Sequence, residues 1–185
     1  DMFKRIENNI DFAENEDKIS NYWNDIDAFQ KSLDIRKESK IFRFYDGPPF
    51  PTGSPHYGNL LAGVIKDIVP RYWTMRGYFV ERRFGWDVHG LPIEMEVQKE
   101  LGLEDPQDID DYGIDKFNEA CRSQVQTNTE NWEKITRKIG RWVDFENDYK
   151  TMDVGFMESV WWVFKELFDK NLIYKDYKVL PYSWA

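Results

Sequence analysis

Two short buried segments flanking one helical segment most strongly limit what this chain can fold into. Residues 41–45 (Ile-Phe-Arg-Phe-Tyr) predict a strand that ends at an Asp-Gly-Pro-Pro run, because glycine and proline interrupt extended structure. An apolar helical stripe covers residues 60–73, and residues 78–84 predict a second strand after Gly77. Such a strand–helix–strand unit is normally parallel and right-handed. The chain is therefore predicted to be an α/β protein with a parallel sheet.

Apolar side chains at three- and four-residue spacing predict further helices. These cover residues 14–33, 91–101, 115–139 and 154–170. In the last of these helices the aromatic and aliphatic side chains are expected to form the buried side. Residues 173–183 are expected to be extended. The fold class is thus a Rossmann-like parallel sheet with an N-terminal helix and additional long helices.

The charge balance limits the partners that this segment can bind. The chain has 25 Lys and Arg against 34 Asp and Glu, a formal net charge of −9. Nucleic-acid affinity depends largely on phosphate neutralisation, so the segment is a poor candidate for a main RNA-binding surface. Two local basic groups stand out: Arg82-Arg83, and a run for which a solvated helix face is favoured, namely Lys134, Arg137, Lys138 and Arg141.

Cysteine usage and hydropathy indicate a cytoplasmic protein without membrane contact. The single cysteine, Cys121, excludes an internal disulfide and gives no sign of secretion. The N-terminus lacks the charged and apolar regions of a signal peptide, and no apolar run approaches the roughly 20 residues that span a bilayer. His56, His89 and Cys121 make no plausible zinc set, so no metal site is predicted.

The loop between the first strand and its helix carries the first candidate site. Ser54 followed by Pro55 is a helix start signal, with serine as the cap and proline in the first position. His56 then lies in the first turn with Asn59 on the same face, and both can donate hydrogen bonds to phosphate at the helix N-terminus. Gly58 leaves room for a flat ring such as adenine. The alternative is an ordinary loop with a surface histidine.

The second candidate site, residues 85–94 (Gly-Trp-Asp-Val-His-Gly-Leu-Pro-Ile-Glu), follows the second strand. Asp87 in this segment can pair with an ammonium group, more strongly when partly buried. The alternative is a turn in which Asp87 caps the helix from Leu91. Ligands bind beyond the carboxyl ends of parallel strands. We therefore expect Asp87 and the loop before His56 to converge on one cleft.

Together these two segments resemble the class I aminoacyl-tRNA synthetases and, within that family, the isoleucyl enzymes. The family signature His-x-Gly-His is similar to residues 56–59 (His-Tyr-Gly-Asn). Residues 46–50 are similar to the amino-acid-binding strand end of the isoleucyl enzymes, and residues 85–94 to their second signature. Residues 141–145, 149–152 and 156–159 also resemble the family. The similarity extends from about residue 12 to the end of the chain.

The resemblance implies a reaction. In an isoleucine–tRNA ligase the carboxylate of L-isoleucine attacks the α-phosphorus of ATP, which binds with Mg²⁺, and the acyl group then passes to tRNA(Ile). Such chemistry depends mainly on positioning and charge stabilisation.

The resemblance also implies roles for individual residues. On the ATP side, it assigns phosphate contacts to His56 and Asn59 and adenine binding to Gly58. On the amino-acid side, it assigns the floor of the side-chain pocket to Gly47 and Pro48 and the substrate ammonium to Asp87. It gives His89 and Glu94 an orienting role.

The sequence departs from the family in one residue and lacks two of its features. Asn59 stands where the family has histidine; its amide can still donate, so we expect an altered phosphate contact. The second ATP signature, Lys-Met-Ser-Lys-Ser, and the editing insertion are not in these residues. Relatives carry both downstream, with cysteines that bind zinc.

The expected domain organisation follows from the resemblance. Residues 1–40 are expected to form a helical extension. Residues 41–185 are expected to form the N-terminal half of a catalytic domain, truncated before the editing insertion and inactive alone. The full-length protein is expected to be monomeric.

Two other functions fit parts of the sequence. A small adenylyltransferase also uses a His-x-Gly-His helix start, but such enzymes lack the second segment. A synthetase-derived binding module without catalysis is the second alternative, and Asn59 together with the missing second signature favours it.

Overall fold

The computed structural model describes residues 10–182, which form seven helices and two strands. In chain order these are α1 Phe12–Asp25, α2 Ala28–Asp34, α3 Tyr57–Met75, β1 Arg83–Trp86, α4 Leu91–Leu101, α5 Pro106–Tyr112, α6 Ile114–Lys138, β2 Asp144–Lys150 and α7 Val154–Asp169. None of the helices in this part of the chain is long and apolar enough to cross a bilayer.

The strand pairing is parallel, which confirms the predicted α/β fold. The segments on either side of α3 meet in one isolated parallel bridge, between Ile41 and Phe79. Strand β1 pairs in parallel with β2. The predicted second strand at residues 78–84 thus begins later than expected, at Arg83. The first predicted strand is reduced to the bridge at Ile41, and β2 was not predicted from the sequence.

The β1–β2 register contains an irregularity that decides which β2 residues reach the site. Arg83 is opposite Asp144, whereas Gly85 is opposite Tyr149. Two steps along β1 thus correspond to five along β2. The Asp144 carboxylate accepts from the main-chain N–H groups of Glu146 and Asn147, at 2.9 and 3.0 Å, which stabilises the bulged segment.

The N-terminal helical stripe is broken, contrary to the single helix predicted over residues 14–33. Asp27 adopts a left-handed conformation with φ of 48° and separates α1 from α2. The two helices nevertheless pack on the rest of the chain through aromatic rings. Trp23 contacts Trp142 edge to face, with ring centroids 5.3 Å apart.

Helix α3 begins two residues later than the Ser54–Pro55 signal predicted, because His56 is its N-cap. Pro70 lies inside the helix, which continues to Met75. Proline lacks the N–H for one helical hydrogen bond. The hydroxyl of Thr74 donates to the Pro70 carbonyl at 2.8 Å.

The core lies between β1, the start of β2 and helices α4 and α6. It consists of aromatic and aliphatic side chains: Phe84, Trp86, Val88, Ile93, Val97, Phe117, Val125, Trp132, Val143 and Phe145. Phe84 and Phe145 stack with ring centroids 4.6 Å apart. The predicted helices 91–101 and 115–139 are confirmed almost to the residue, and α4 ends at Gly102 in the left-handed conformation.

Helix α7 forms as predicted, but its expected buried side is exposed. The exposed side chains include Val160, Trp161, Phe164 and Phe168. Phe156 is the exception, since its ring stacks on Tyr149 with centroids 5.6 Å apart. Residues 173–182 form no strand. The end of the predicted extended segment, residue 183, and the N-terminal segment tested for a signal peptide, residues 1–9, lie outside the described residues.

Candidate functional site

The two candidate segments meet directly. The main-chain N–H of Asp87 donates to the carbonyl oxygen of Pro49 at 2.9 Å. The loop after the first predicted strand is thereby joined to the loop after β1, at the carboxyl ends of both. The predicted proximity of Asp87 to the Gly-Pro loop is confirmed, whereas a cleft shared by the two segments stays a prediction.

A cavity of about 260 Å³ lies beside this junction, between the Gly-Pro loop, α3 and α6. Its lining includes Gly47, Pro48, Pro49, Asn59, Lys66 and Arg141. Small-molecule sites for drug-sized ligands enclose roughly 300–1,000 Å³, so this cavity suits a small ligand. Three of the predicted site residues, Gly47, Pro48 and Asn59, therefore share one cavity. His56, Gly58, Asp87, His89 and Glu94 are not among its lining residues.

A buried ion cluster fixes the loop beside the cavity. The side chain of Asp46 is completely buried between Lys66 and Arg141, with nitrogen–oxygen distances of 2.8 and 2.5 Å. Lys66 also donates to the Gly47 carbonyl at 2.5 Å. The interpretation of Arg141 as part of a solvated helix face is wrong, since it is only 8% exposed. Burial without a partner would cost Arg141 several kcal/mol, and Asp46 supplies the partner.

The side chain of Tyr149, on β2, contacts the same loop. Its hydroxyl donates to the Asp46 carbonyl at 3.3 Å, and its ring lies directly over Gly85. A Cβ atom on Gly85 would lie 2.1 Å from the ring, so only glycine fits there. Burial raises the pKa of Tyr149 above its usual value, and the Asp46 and Asp87 carboxylates raise it further.

The N-terminus of α3 is capped by a reciprocal pair of hydrogen bonds between His56 and Asn59. His56 Nδ1 accepts from the Asn59 main-chain N–H at 3.3 Å, and Asn59 Oδ1 accepts from the His56 N–H at 3.0 Å. His56 therefore precedes the first turn, rather than lying in it as predicted. Because Nδ1 accepts, the proton of a neutral ring is on Nε2. His56 Nε2–H and the Asn59 amide N–H groups remain available as donors.

Gly58 lies close to the His56 ring. A Cβ atom at this position would lie 3.0 Å from the His56 ring. A side chain at residue 58 would therefore require the imidazole to shift from its capping position by a few tenths of an ångström. Space for adenine on this glycine stays a prediction.

Asp87 and His89 are held by one side chain that was not predicted as a site residue, Thr151. Its hydroxyl oxygen lies 3.5 Å from Asp87 Oδ1 and 2.8 Å from His89 Nδ1. Asp87 does not cap α4, because Gly90 occupies the N-cap position. The similarity of residues 149–152 to the synthetase family pointed to this segment without indicating a role.

Glu94 lies on the exposed face of α4. Its carboxylate is close enough to Cys121 to contribute, after burial, to raising the pKa of that thiol. The orienting role expected for Glu94 stays a prediction.

The basic pair Arg82-Arg83 is divided between core and surface. Arg82 is 2% exposed and donates to the Thr74 hydroxyl at 2.5 Å. Burial lowers the pKa of Arg82 to about 10. Arg82 is thus a core residue and is not available to nucleic acid, whereas Arg83 is exposed. Within residues 10–182 no cluster of three or more His, Cys, Asp or Glu residues can hold a metal ion.

Comparisons of the sequence point to one family. A family profile described as tRNA synthetases class I (I, L, M and V) matches residues 18–185. Isoleucine–tRNA ligases from Treponema denticola and Tetrahymena thermophila are 53% and 54% identical over 181 residues, which is 98% of this chain. The cytoplasmic isoleucine–tRNA ligase of Saccharomyces cerevisiae is 53% identical over 93% of the chain. The chain spans only 16 to 17% of the length of these relatives.

A solved structure shows the same fold. The LeuRS of Agrobacterium radiobacter K84, in a ternary complex with tRNA and LeuAMS, superposes with a TM-score of 0.59. It is 21% identical and covers 87% of this chain, which corresponds to 18% of the LeuRS. The resemblance inferred from the His-Tyr-Gly-Asn and Trp-Asp-Val-His segments is confirmed: the chain belongs to the class I tRNA synthetases of the isoleucine, leucine, methionine and valine group.

Proposed function

We propose that this chain forms the first part of the catalytic site of an isoleucine–tRNA ligase. The reaction would activate L-isoleucine with Mg²⁺-bound ATP and transfer it to tRNA(Ile). The observation that carries the proposal is the 2.9 Å hydrogen bond from Asp87 to Pro49, because it places Asp87 beside a residue that lines the small, partly apolar cavity. The three relatives named above are all isoleucine–tRNA ligases.

The amino acid would bind between the two joined loops. Gly47 and Pro48 would form the floor for its aliphatic side chain, where both line the cavity. Asp87, which is half-buried, would pair with the ammonium group, because partial burial strengthens such a pairing. Asp46 is not a candidate for this role, since Lys66 and Arg141 already neutralise it.

ATP would bind at the N-terminus of α3. The capping pair uses His56 Nδ1 and Asn59 Oδ1, so His56 Nε2–H and the Asn59 amide N–H groups would donate to the phosphates. The positive end of the helix dipole also favours phosphate. Gly58 would lie beneath the adenine, and His89 and Glu94 would orient the segment around Asp87. Mg²⁺ would supply charge neutralisation for the phosphates as it enters with ATP.

The remaining parts of the proposal concern the whole protein. Residues 1–40 would be a helical extension, and residues 41–185 the N-terminal half of the catalytic domain. We expect the 185-residue chain to be inactive alone, and the complete enzyme to be cytoplasmic and monomeric, with zinc bound only by residues outside this sequence.

A chimera tests the proposal. This chain would replace the matching 181 residues of the Treponema denticola isoleucine–tRNA ligase, and ATP–pyrophosphate exchange would be measured with isoleucine, valine and leucine. We expect isoleucine-dependent exchange within about tenfold of the parent enzyme, equivalent to roughly 1.4 kcal/mol. A chimera that melts at the parent temperature but shows no isoleucine-dependent exchange contradicts the proposal.

A non-catalytic binding module is the second candidate, and one observation favours it: His56 and Asn59 bind each other. Calorimetry on the 185-residue chain separates the two functions. A module that has lost the enzyme's ligands binds neither isoleucine nor ATP, whereas the first part of a catalytic site retains measurable affinity for at least one of them.

A further inference from the structure

The hydroxyl of Thr151 contacts three consecutive residues of the Asp87 segment. The Val88 main-chain N–H donates to Oγ1 at 3.0 Å. His89 Nδ1 lies 2.8 Å from the same oxygen, and Asp87 Oδ1 lies 3.5 Å from it. Thr151 is only 6% exposed and Val88 is buried, whereas Asp87 is half-buried and His89 is exposed.

These contacts are not needed to pair the strands. The main-chain N–H of Thr151 already donates to the Trp86 carbonyl at 3.0 Å, which continues the β1–β2 ladder by one residue. The hydroxyl therefore acts on the loop that follows β1. The bulge in the register brings it there, because without the extra β2 residues Thr151 would not lie beside Trp86.

The numbers of protons and lone pairs on these groups allow one arrangement of the three contacts. A threonine hydroxyl has one proton to donate and two lone pairs. Val88 N–H occupies one lone pair. A carboxylate only accepts, so the hydroxyl proton must go to Asp87 if that contact is made. His89 Nδ1 must then donate to the second lone pair. All three contacts are satisfied only when His89 carries a proton on Nδ1, which in a neutral ring is the Nδ1–H form.

We propose that Thr151 is a positioning residue for the substrate ammonium site, where it fixes the Asp87 carboxylate and holds His89 in the Nδ1–H form. The inference rests on the proposed function, in which Asp87 binds the ammonium group of isoleucine. In this arrangement Thr151 acts through Asp87 and His89 and is assigned no contact with the substrate. The 3.5 Å contact is at the outer limit of a hydrogen bond; in the proposed role it would orient the carboxylate before the amino acid binds.

Kinetics of the chimera provide the first test. Thr151→Val removes the hydroxyl with little change of shape, and Thr151→Ser retains it. We expect the valine variant to raise the KM for isoleucine about tenfold in pyrophosphate exchange, with the KM for ATP unchanged, and the serine variant to stay within about threefold. Thr74→Val is the matched control, since it removes another buried hydroxyl, one that contacts Pro70 and Arg82. It should lower the melting temperature without changing the KM for isoleucine.

Equal changes in both KM values, or no rescue by serine, would reduce Thr151 to a structural residue. An unchanged KM for isoleucine in an active valine variant would refute the inference and leave the proposed function intact. A wild-type chimera without isoleucine-dependent exchange would instead remove the proposed function and the inference with it.

The tautomer of His89 provides a second test that does not depend on activity. The 185-residue chain contains two histidines, so ¹⁵N-resolved spectra of the imidazole rings are simple to assign. We expect His89 in the Nδ1–H form and His56 in the Nε2–H form, and a shift of His89 toward Nε2–H in Thr151→Val. An Nε2–H tautomer of His89 in the wild-type chain would overturn the proposed arrangement.

Discussion

The main-chain N–H of Asp87 donates to the carbonyl oxygen of Pro49, and this 2.9 Å hydrogen bond joins the two loops of the candidate site. It involves backbone atoms of both residues and therefore does not use the Asp87 carboxylate. A mutation can therefore remove the charge of residue 87 while its backbone keeps the position that this hydrogen bond fixes.

The charge of Asp87 can be removed without breaking this junction. In the chimera, Asp87→Asn should raise the KM for isoleucine about ten- to a hundredfold, because hydrogen bonds to charged groups contribute about 1.5–3 kcal/mol. The KM for ATP should not change. Asp111→Asn, at an exposed position of α5, is the control and should leave both values unchanged. An Asp87→Asn enzyme with the parent KM would show that the ammonium group binds elsewhere.

Gly85 tests the contact with Tyr149. In Gly85→Ala the new Cβ would lie 2.1 Å from the Tyr149 ring, so the ring must move and its hydrogen bond to Asp46 must break. We expect a loss of about 1–3 kcal/mol in the free energy of unfolding, measured with urea. Gly155→Ala is the matched control, because nothing lies within 4 Å of its Cβ position. That variant should be neutral or stabilising by less than about 1 kcal/mol. Equal effects at the two positions would contradict the close packing at Gly85.

Periodicity predicted those helices whose apolar faces are long and uninterrupted. The α4 and α6 bounds were correct because Gly102 and Gly140 follow their ends and both adopt positive φ. The break between α1 and α2 was not predictable in this way. Asp27 adopts a conformation that most residues avoid, and the apolar spacing continues across it.

The local sequence pattern also failed to predict contacts between residues that are distant in sequence. The sequence around Arg141 predicts a surface residue, because nothing near it in the chain shows that Asp46 lies 2.5 Å away. The same applies to Thr151, whose contacts with Asp87 and His89 depend on the register irregularity between β1 and β2. The segments of the site could be identified from sequence, whereas the residues that hold them together required the fold.

The ion pair between Arg141 and Asp46 should be important for stability. Arg141→Met would leave the buried Asp46 with Lys66 as its single cation. Breaking a buried pair by removing one partner costs about 3–5 kcal/mol, and the remaining lysine places the expected loss near the lower end. Urea unfolding measures it. Lys165→Met, which breaks an exposed pair with Asp169 on α7, should cost less than about 1 kcal/mol. A similarly small loss for Arg141→Met would mean that Lys66 alone neutralises Asp46.

Asn59 provides the sharpest test of the ATP side of the site. Its Oδ1 accepts from the His56 N–H, and in the proposed function its Nδ2 would donate to phosphate. Histidine at this position can also accept through one ring nitrogen and donate through the other. Pyrophosphate exchange by the Asn59→His chimera should therefore stay within about tenfold of the unmodified chimera, roughly 1.4 kcal/mol of barrier. Asn59→Leu removes both the accepting and the donating group, so its pyrophosphate exchange should fall below that range. Its KM for ATP should change more than its KM for isoleucine. A gain of several orders of magnitude in Asn59→His would show that asparagine disables the phosphate site, and would favour the non-catalytic module.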